Sequence, residues 1–106
     1  MKNFLNISDF TQKDLRKILD DAKIRKNKRS GLNKSSIDED EPMKGKTLIM
    51  IFEKPSTRTR ISFDLAVKQL GGSSITLNPD GIHYGKGEET LKDTAKVLSQ
   101  YGDLIM

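Results

Sequence analysis

Three hydroxyls and two guanidiniums occupy five consecutive positions, Ser56, Thr57, Arg58, Thr59 and Arg60. Such a set suits an anion. Arginine carries a permanent, planar charge whose paired donors match phosphate oxygens, and hydroxyls add donors that rotate to suit. Just before them an apolar run, Leu48-Ile49-Met50-Ile51-Phe52, stops at Glu53-Lys54-Pro55. If that run is a buried strand and a helix starts at Thr57, Ser56 falls at the N-cap. The unpaired amides and partial positive charge of the helix start would then face the same point as the side chains. On physics alone a plainer reading stays open: Ser56-Thr57 is an ordinary cap, and Arg58 and Arg60 are surface charges on a basic chain. Neither Gly-x-x-x-x-Gly-Lys nor Gly-x-Gly-x-x-Gly occurs, so no nucleotide fingerprint decides between the two.

A second loop offers His83, and Lys86 between Gly85 and Gly87. A single loop histidine is more often a solvated turn residue than a ligand or base. A lysine flanked by glycines can approach an anion closely.

These candidates need elements to hold them. Thr11 can cap a helix with Asp14 at N3, and Phe10 and Leu15 are placed for a hydrophobic staple. Leu15, Ile18, Leu19 and Ala22 form one apolar stripe, expected to pack against the helix's own domain, and the basic residues at 25–29 suit the negative helix end. Residues 30–45 lose periodicity, collect Gly31, Asn33 and Pro42 and end in the acids Asp38 to Glu41, as an exposed connection does. The run at 47–52 reads as a parallel strand covered on both faces. A helix over 57–70 carries Ile61, Phe63, Leu65, Ala66, Val67 and Leu70 on more than one face, which predicts that it is sandwiched, and Gly71-Gly72 ends it.

Residues 73–77 form a second strand, giving strand, helix, strand in about thirty residues: a βαβ unit with parallel strands and a right-handed crossover. After the turn at Asn78-Pro79-Asp80-Gly81, a third helix from about 89 directs Leu91, Ala95, Leu98 and Tyr101 inward and stops at Gly102. Residues 103–106 open a third strand. The fold class is therefore α/β, a parallel sheet with flanking helices. Both candidate loops follow strands at the carboxyl edge of that sheet, where open α/β folds bind ligands. Two strands and a stub do not finish a sheet, so residues 1–106 are expected to be the N-terminal part of a larger domain.

Composition narrows the classes. The apolar fraction of 34% predicts a thin core. The net charge of +4 hints at nucleic acid, but the basic block from Lys23 to Lys34 is followed at once by Asp38, Glu39, Asp40 and Glu41, which partly cancel it. With no Trp and two Tyr there is little to stack on bases, so no nucleic-acid partner is expected. Absence of cysteine excludes disulfides, thiol nucleophiles and thiolate metal sites. Neither a leader pattern nor a membrane-length apolar run occurs, which predicts a soluble, cytoplasmic protein with no membrane partner.

The stretch from Phe52 to Phe63, with Ser56-Thr57-Arg58-Thr59-Arg60 at its centre, resembles the carbamoyl-phosphate signature of the aspartate/ornithine carbamoyltransferase family. The likeness continues at Leu70-Gly71-Gly72 and at Asp93-Thr94-Ala95-Lys96-Val97-Leu98-Ser99-Gln100-Tyr101, covering roughly residues 4–106. Lys54-Pro55 between Glu53 and Ser56 looks like the ornithine type. The resemblance implies that Ser56, Thr57, Arg58 and Thr59 bind carbamoyl phosphate. It gives Arg58 the catalytic role of stabilising the departing phosphate while the ornithine side-chain amine attacks, and places Thr59 toward the carbonyl oxygen. It implies citrulline as product in arginine metabolism, no cofactor, and a homotrimer or higher assembly in which His83 reaches a neighbouring subunit's site. Another amine or amino acid such as aspartate as acceptor, or a non-catalytic anion-binding or subunit-interaction role, remain as alternatives.

Around Lys86 the chain is one residue longer than the family's usual spacing, which leaves Lys86 without an assigned role. The family's later carbamoyl-phosphate residues and its amino-acid-binding domain have no counterpart in these residues. The chain alone is therefore expected to be inactive and marginally stable.

Overall fold

The computed structural model describes residues 3–78 and 91–106. The chain divides into two compact units, residues 1–33 and 34–106.

In the first unit a short 3-10 turn, Ile7–Asp9, precedes helix α1, Gln12–Lys28. The expected capping box is formed: the Asp14 amide donates to Thr11 Oγ1 at 3.1 Å, and the Thr11 amide donates to Asp14 Oδ2 at 3.2 Å. Phe10 stacks on Phe4 with ring centroids 4.5 Å apart. The apolar stripe of α1 differs from expectation, because the helix buries no residue and Ile18, Leu19 and Ile24 are all exposed. Helical spacing gathers residues on one face; it does not supply a neighbour for that face.

The second unit is a three-stranded parallel sheet in the order β2-β1-β3, with β1 at Thr47–Ile51, β2 at Ser73–Leu77 and β3 at Leu104–Ile105. Thr47 pairs with Ser73 and Ile51 with Leu77, while Leu48 pairs with Leu104 and Ile49 with Ile105. The Asp103 carboxylate accepts the Thr47 amide at 2.8 Å, fixing where β3 begins. Helix α2, Thr57–Gln69, connects β1 to β2, and helix α3, Leu91–Tyr101, precedes β3.

Leu48, Ile49 and Met50 are consecutive and all buried, so β1 is covered on both faces, as its unbroken apolar run requires. Leu48 and Met50 form a core with Val67 of α2, joined by Met43, Phe52 and Met106. Each fully buried side chain of this kind contributes about 1.5–3 kcal/mol. Among the described residues the buried apolar core is these three and Ile49, the thin core that composition predicted.

Helix α2 is not sandwiched. Val67 is its buried residue, while Ile61 and Phe63 are exposed, so one face is covered and the other is open. The helix ends as its glycines predict. The Gly72 amide donates to the Val67 carbonyl and the Gly71 amide to that of Lys68, a Schellman closure that places Gly71 at φ +89°. Residues 34–46 are more than an exposed connection: the Asp38 and Met43 amides and the Lys34 carbonyl all bond to the last turn of α2.

Asp64 fastens α2 to β2 by accepting a hydrogen bond from the Ser74 hydroxyl, and pairs with Lys68 at 3.3 Å. The Ser74 bond lowers the Asp64 pKa, against desolvation and with help from Lys68 and Arg60. A lowered carboxylate pKa contributes stability that is fully present above the unfolded value, near 3.8, and is lost as pH falls through the folded one. Asp64→Asn should therefore destabilise the chain modestly at pH 7 and make no difference well below pH 3.8, checked by urea unfolding at both acidities.

Candidate functional site

Because all three strands run parallel, Ile51, Leu77 and Ile105 end at one edge of the sheet. From that edge residues 52–56 turn the chain into α2. Pro55 cannot continue a ladder, and Ser56 takes an extended backbone, φ −146° and ψ 93°, before the helix begins at Thr57. This is the strand, turn and helix start that the sequence predicted.

Ser56 occupies the N-cap, yet its side chain makes no capping hydrogen bond. Serine at this position normally serves the amide two or three residues on. Among the described residues the first-turn amides of α2 have no backbone partner and the Ser56 hydroxyl makes no capping bond, next to Thr57, Arg58 and Thr59 on an exposed turn. The hydroxyl of Ser62 closes the turn from behind by donating to the Thr59 carbonyl at 3.0 Å.

The two arginines differ. Arg60 lies in the field of Asp64, so part of its charge serves the fold. Arg58 is exposed and forms no ion pair among the described residues. It can move its charge toward a ligand without breaking a contact.

Beside the turn lies a groove of about 650 Å³. It is lined by Ile51, Phe52, Glu53, Lys54 and Ser56, by Thr94, Ala95 and Leu98 of α3, and by Ile105 of β3. Thr94 was not legible as a site residue. The spacing predicts Leu91, Ala95, Leu98 and Tyr101 as the inward face of α3, whereas Thr94 is buried, Leu98 is half-buried, and Ala95 and Tyr101 are exposed. Thr94 lies one helical turn before Leu98 and shares its face, a signal that an apolar count passes over.

Ser56, Thr57, Arg58 and Thr59 are thus brought together at one helix start. His83 and Lys86 lie outside the described residues. Among the described residues no cluster of three or more metal-ligating side chains is present. No helix among them is long and apolar enough to cross a membrane.

Residues 2–106 match the family described as aspartate/ornithine carbamoyltransferase, carbamoyl-P binding domain. The chain is 50% identical over 105 residues to the ornithine carbamoyltransferase of Rhizorhabdus wittichii, covering 99% of this chain and 34% of that protein. It superposes on the ornithine carbamoyltransferase of Pyrococcus furiosus with a TM-score of 0.86 at 41% identity, over 99% of this chain and 32% of that one. The catalytic subunit of M. jannaschii aspartate transcarbamoylase superposes with a TM-score of 0.79 at 34% identity, over 99% and 33%. The chain spans about a third of the length of the relatives it matches.

Proposed function

The chain belongs to the aspartate/ornithine carbamoyltransferase family, and from that premise we propose that it supplies part of a carbamoyl-phosphate site for carbamoyl transfer to the side-chain amine of ornithine. The products are citrulline and phosphate, and the place of the reaction is arginine metabolism. The observation that carries this reading is the start of α2, where Ser56 at the N-cap makes no side-chain capping bond and, among the described residues, the first-turn amides have no backbone partner.

In this reading the phosphate oxygens of carbamoyl phosphate take the free amides of Thr57, Arg58 and Thr59 together with the hydroxyls of Ser56 and Thr57. The Thr59 hydroxyl faces the carbonyl oxygen. As the amine lone pair attacks the carbonyl carbon, the C–N bond forms, the bond from carbon to the phosphate oxygen breaks, and the amine gives up a proton. Arg58 meets the negative charge gathering on the departing phosphate. Catalysis is positioning plus electrostatic stabilisation, with no covalent enzyme intermediate and no cofactor. His83 acts on a neighbouring subunit's site in a homotrimer or higher assembly.

A second acceptor is favoured by one observation. An aspartate transcarbamoylase subunit superposes on this chain nearly as well as the ornithine enzymes do.

Titration calorimetry of the chain with carbamoyl phosphate tests the site, with a citrulline assay alongside. Saturable binding, displaced by inorganic phosphate and unaccompanied by citrulline formation, is the expected result. Absence of binding would overturn the site, and turnover by the chain alone would overturn its incompleteness.

A further inference from the structure

Helices α1 and α2 begin in different ways. The first turn of α1 is braced in front: Thr11 at its N-cap accepts the Asp14 amide at 3.1 Å, and the Asp14 carboxylate accepts the Thr11 amide at 3.2 Å. In α2 the front is left open, because Ser56 makes no side-chain capping bond. The first bond of this helix, from the Arg60 amide to the Ser56 carbonyl, is 3.3 Å long, beyond the usual range of about 2.7–3.2 Å. Support comes from behind instead. Ser62 donates its hydroxyl to the Thr59 carbonyl at 3.0 Å, and among the described residues it is the side chain that bonds to the backbone of this turn. A cap in front occupies the donors that an anion needs; a brace behind leaves them free.

Two peptide groups connect that hydroxyl to the anion site. The Thr59 carbonyl and the Arg60 amide belong to one planar peptide, so the Ser62 bond holds the plane from which Arg60 donates. The Ser56 carbonyl that accepts from Arg60 shares its own peptide with the Thr57 amide, which has no backbone partner among the described residues. Hydrogen bonds in such a chain polarise one another, by about 10–30% per bond. A donor at Ser62 therefore steadies the peptide that carries the Thr57 N–H and makes that N–H a stronger donor.

We propose that Ser62 is a positioning residue for the anion: its hydroxyl acts through the 59–60 and 56–57 peptides to orient and polarise the Thr57 amide. The inference rests on the anion-binding reading of the start of α2. Ser99 supplies the comparison, since it donates in the same way to the Lys96 carbonyl at 2.7 Å within α3. There the bond stands away from a helix start; at Ser62 it stands behind open donors.

The test uses the whole chain as Ser62→Ala, Ser62→Thr and Ser99→Ala, with inorganic phosphate and carbamoyl phosphate as calorimetric probes. Threonine keeps a hydroxyl that can reach the same carbonyl in a helix. Ser62→Ala should weaken both anions about 3- to 5-fold, toward the lower end for one neutral hydrogen bond because this one is exposed. Ser62→Thr and Ser99→Ala should bind within about 1.5-fold of the parent. The unliganded Tm of Ser62→Ala should stay level or rise, because alanine is the better helix former. In the amide NMR spectrum of the unliganded chain the Thr57 proton should move upfield in Ser62→Ala and hold still in Ser99→Ala.

Unchanged affinity in Ser62→Ala would overturn the proposal. Equal weakening in Ser62→Thr would do so too, because the hydroxyl would then not be the group that matters, and equal weakening in Ser99→Ala would make the loss a general one of helix structure. A lowered Tm in Ser62→Ala would assign the bond to the fold, and an unmoved Thr57 signal would break the relay. A parent chain that binds neither anion overturns the reading of the helix start itself, and does so before any substitution is made.

Discussion

Arg58→Ala should weaken carbamoyl phosphate binding by about 10- to 100-fold, the value of one charge-assisted, two-donor contact to a phosphate. The expectation rests on Arg58 standing exposed and free of ion pairs among the described residues, at the start of a helix with uncommitted amides. Arg60→Ala is the internal control. Its side chain lies near Asp64, so its removal should cost binding less than about threefold and appear mainly as a small loss of stability. Arg58→Lys should recover part of the affinity by restoring charge without the planar fork. Calorimetry on the three variants separates the cases, and equal losses at 58 and 60 would reduce the site to general positive charge.

Gly102→Ala should destabilise the chain by about 1–3 kcal/mol, the usual cost of forcing a methyl into a packed core. A Cβ at Gly102 would lie 2.6 Å from Ile49 Cδ1 and 2.8 Å from Cγ1. Ile49 cannot swing away, being 2% exposed in the central strand. The glycine therefore does more than stop α3; its missing side chain is the space that lets β3 close onto β1. Ile49→Ala is destabilising by itself, yet in that background Gly102→Ala should cost clearly less. Urea unfolding of the four proteins gives the coupling, and simple additivity would place the cause elsewhere.

The backbone plan was legible because local chemistry announces it. An unbroken apolar run marks a strand buried on both faces, Thr11 with Asp14 marks a capping box, and Gly71-Gly72 marks a helix end; all three stand where expected. Which helix faces would be covered was not legible. Periodicity groups Ile18 with Leu19 and Ile61 with Leu65, but coverage depends on neighbours, and both Ile18 and Ile61 are exposed. The site divides similarly. Ser56 to Thr59 could be placed because Pro55 and the preceding strand fix the helix start. Thr94 could not, since a threonine amid charged residues gives no sign that its own hydroxyl is enclosed.

The unmade cap at Ser56 also bears on how the protein persists. A missing cap typically leaves a helix about 1 kcal/mol short. An anion that serves those amides returns the deficit, and any ligand held only by the folded chain stabilises it by mass action, about 2.7 kcal/mol at a hundredfold excess over its Kd. For a chain with so small a buried core, lifetime against proteolysis would then follow the supply of the proposed ligand, carbamoyl phosphate, rising when it is plentiful and falling when it is scarce.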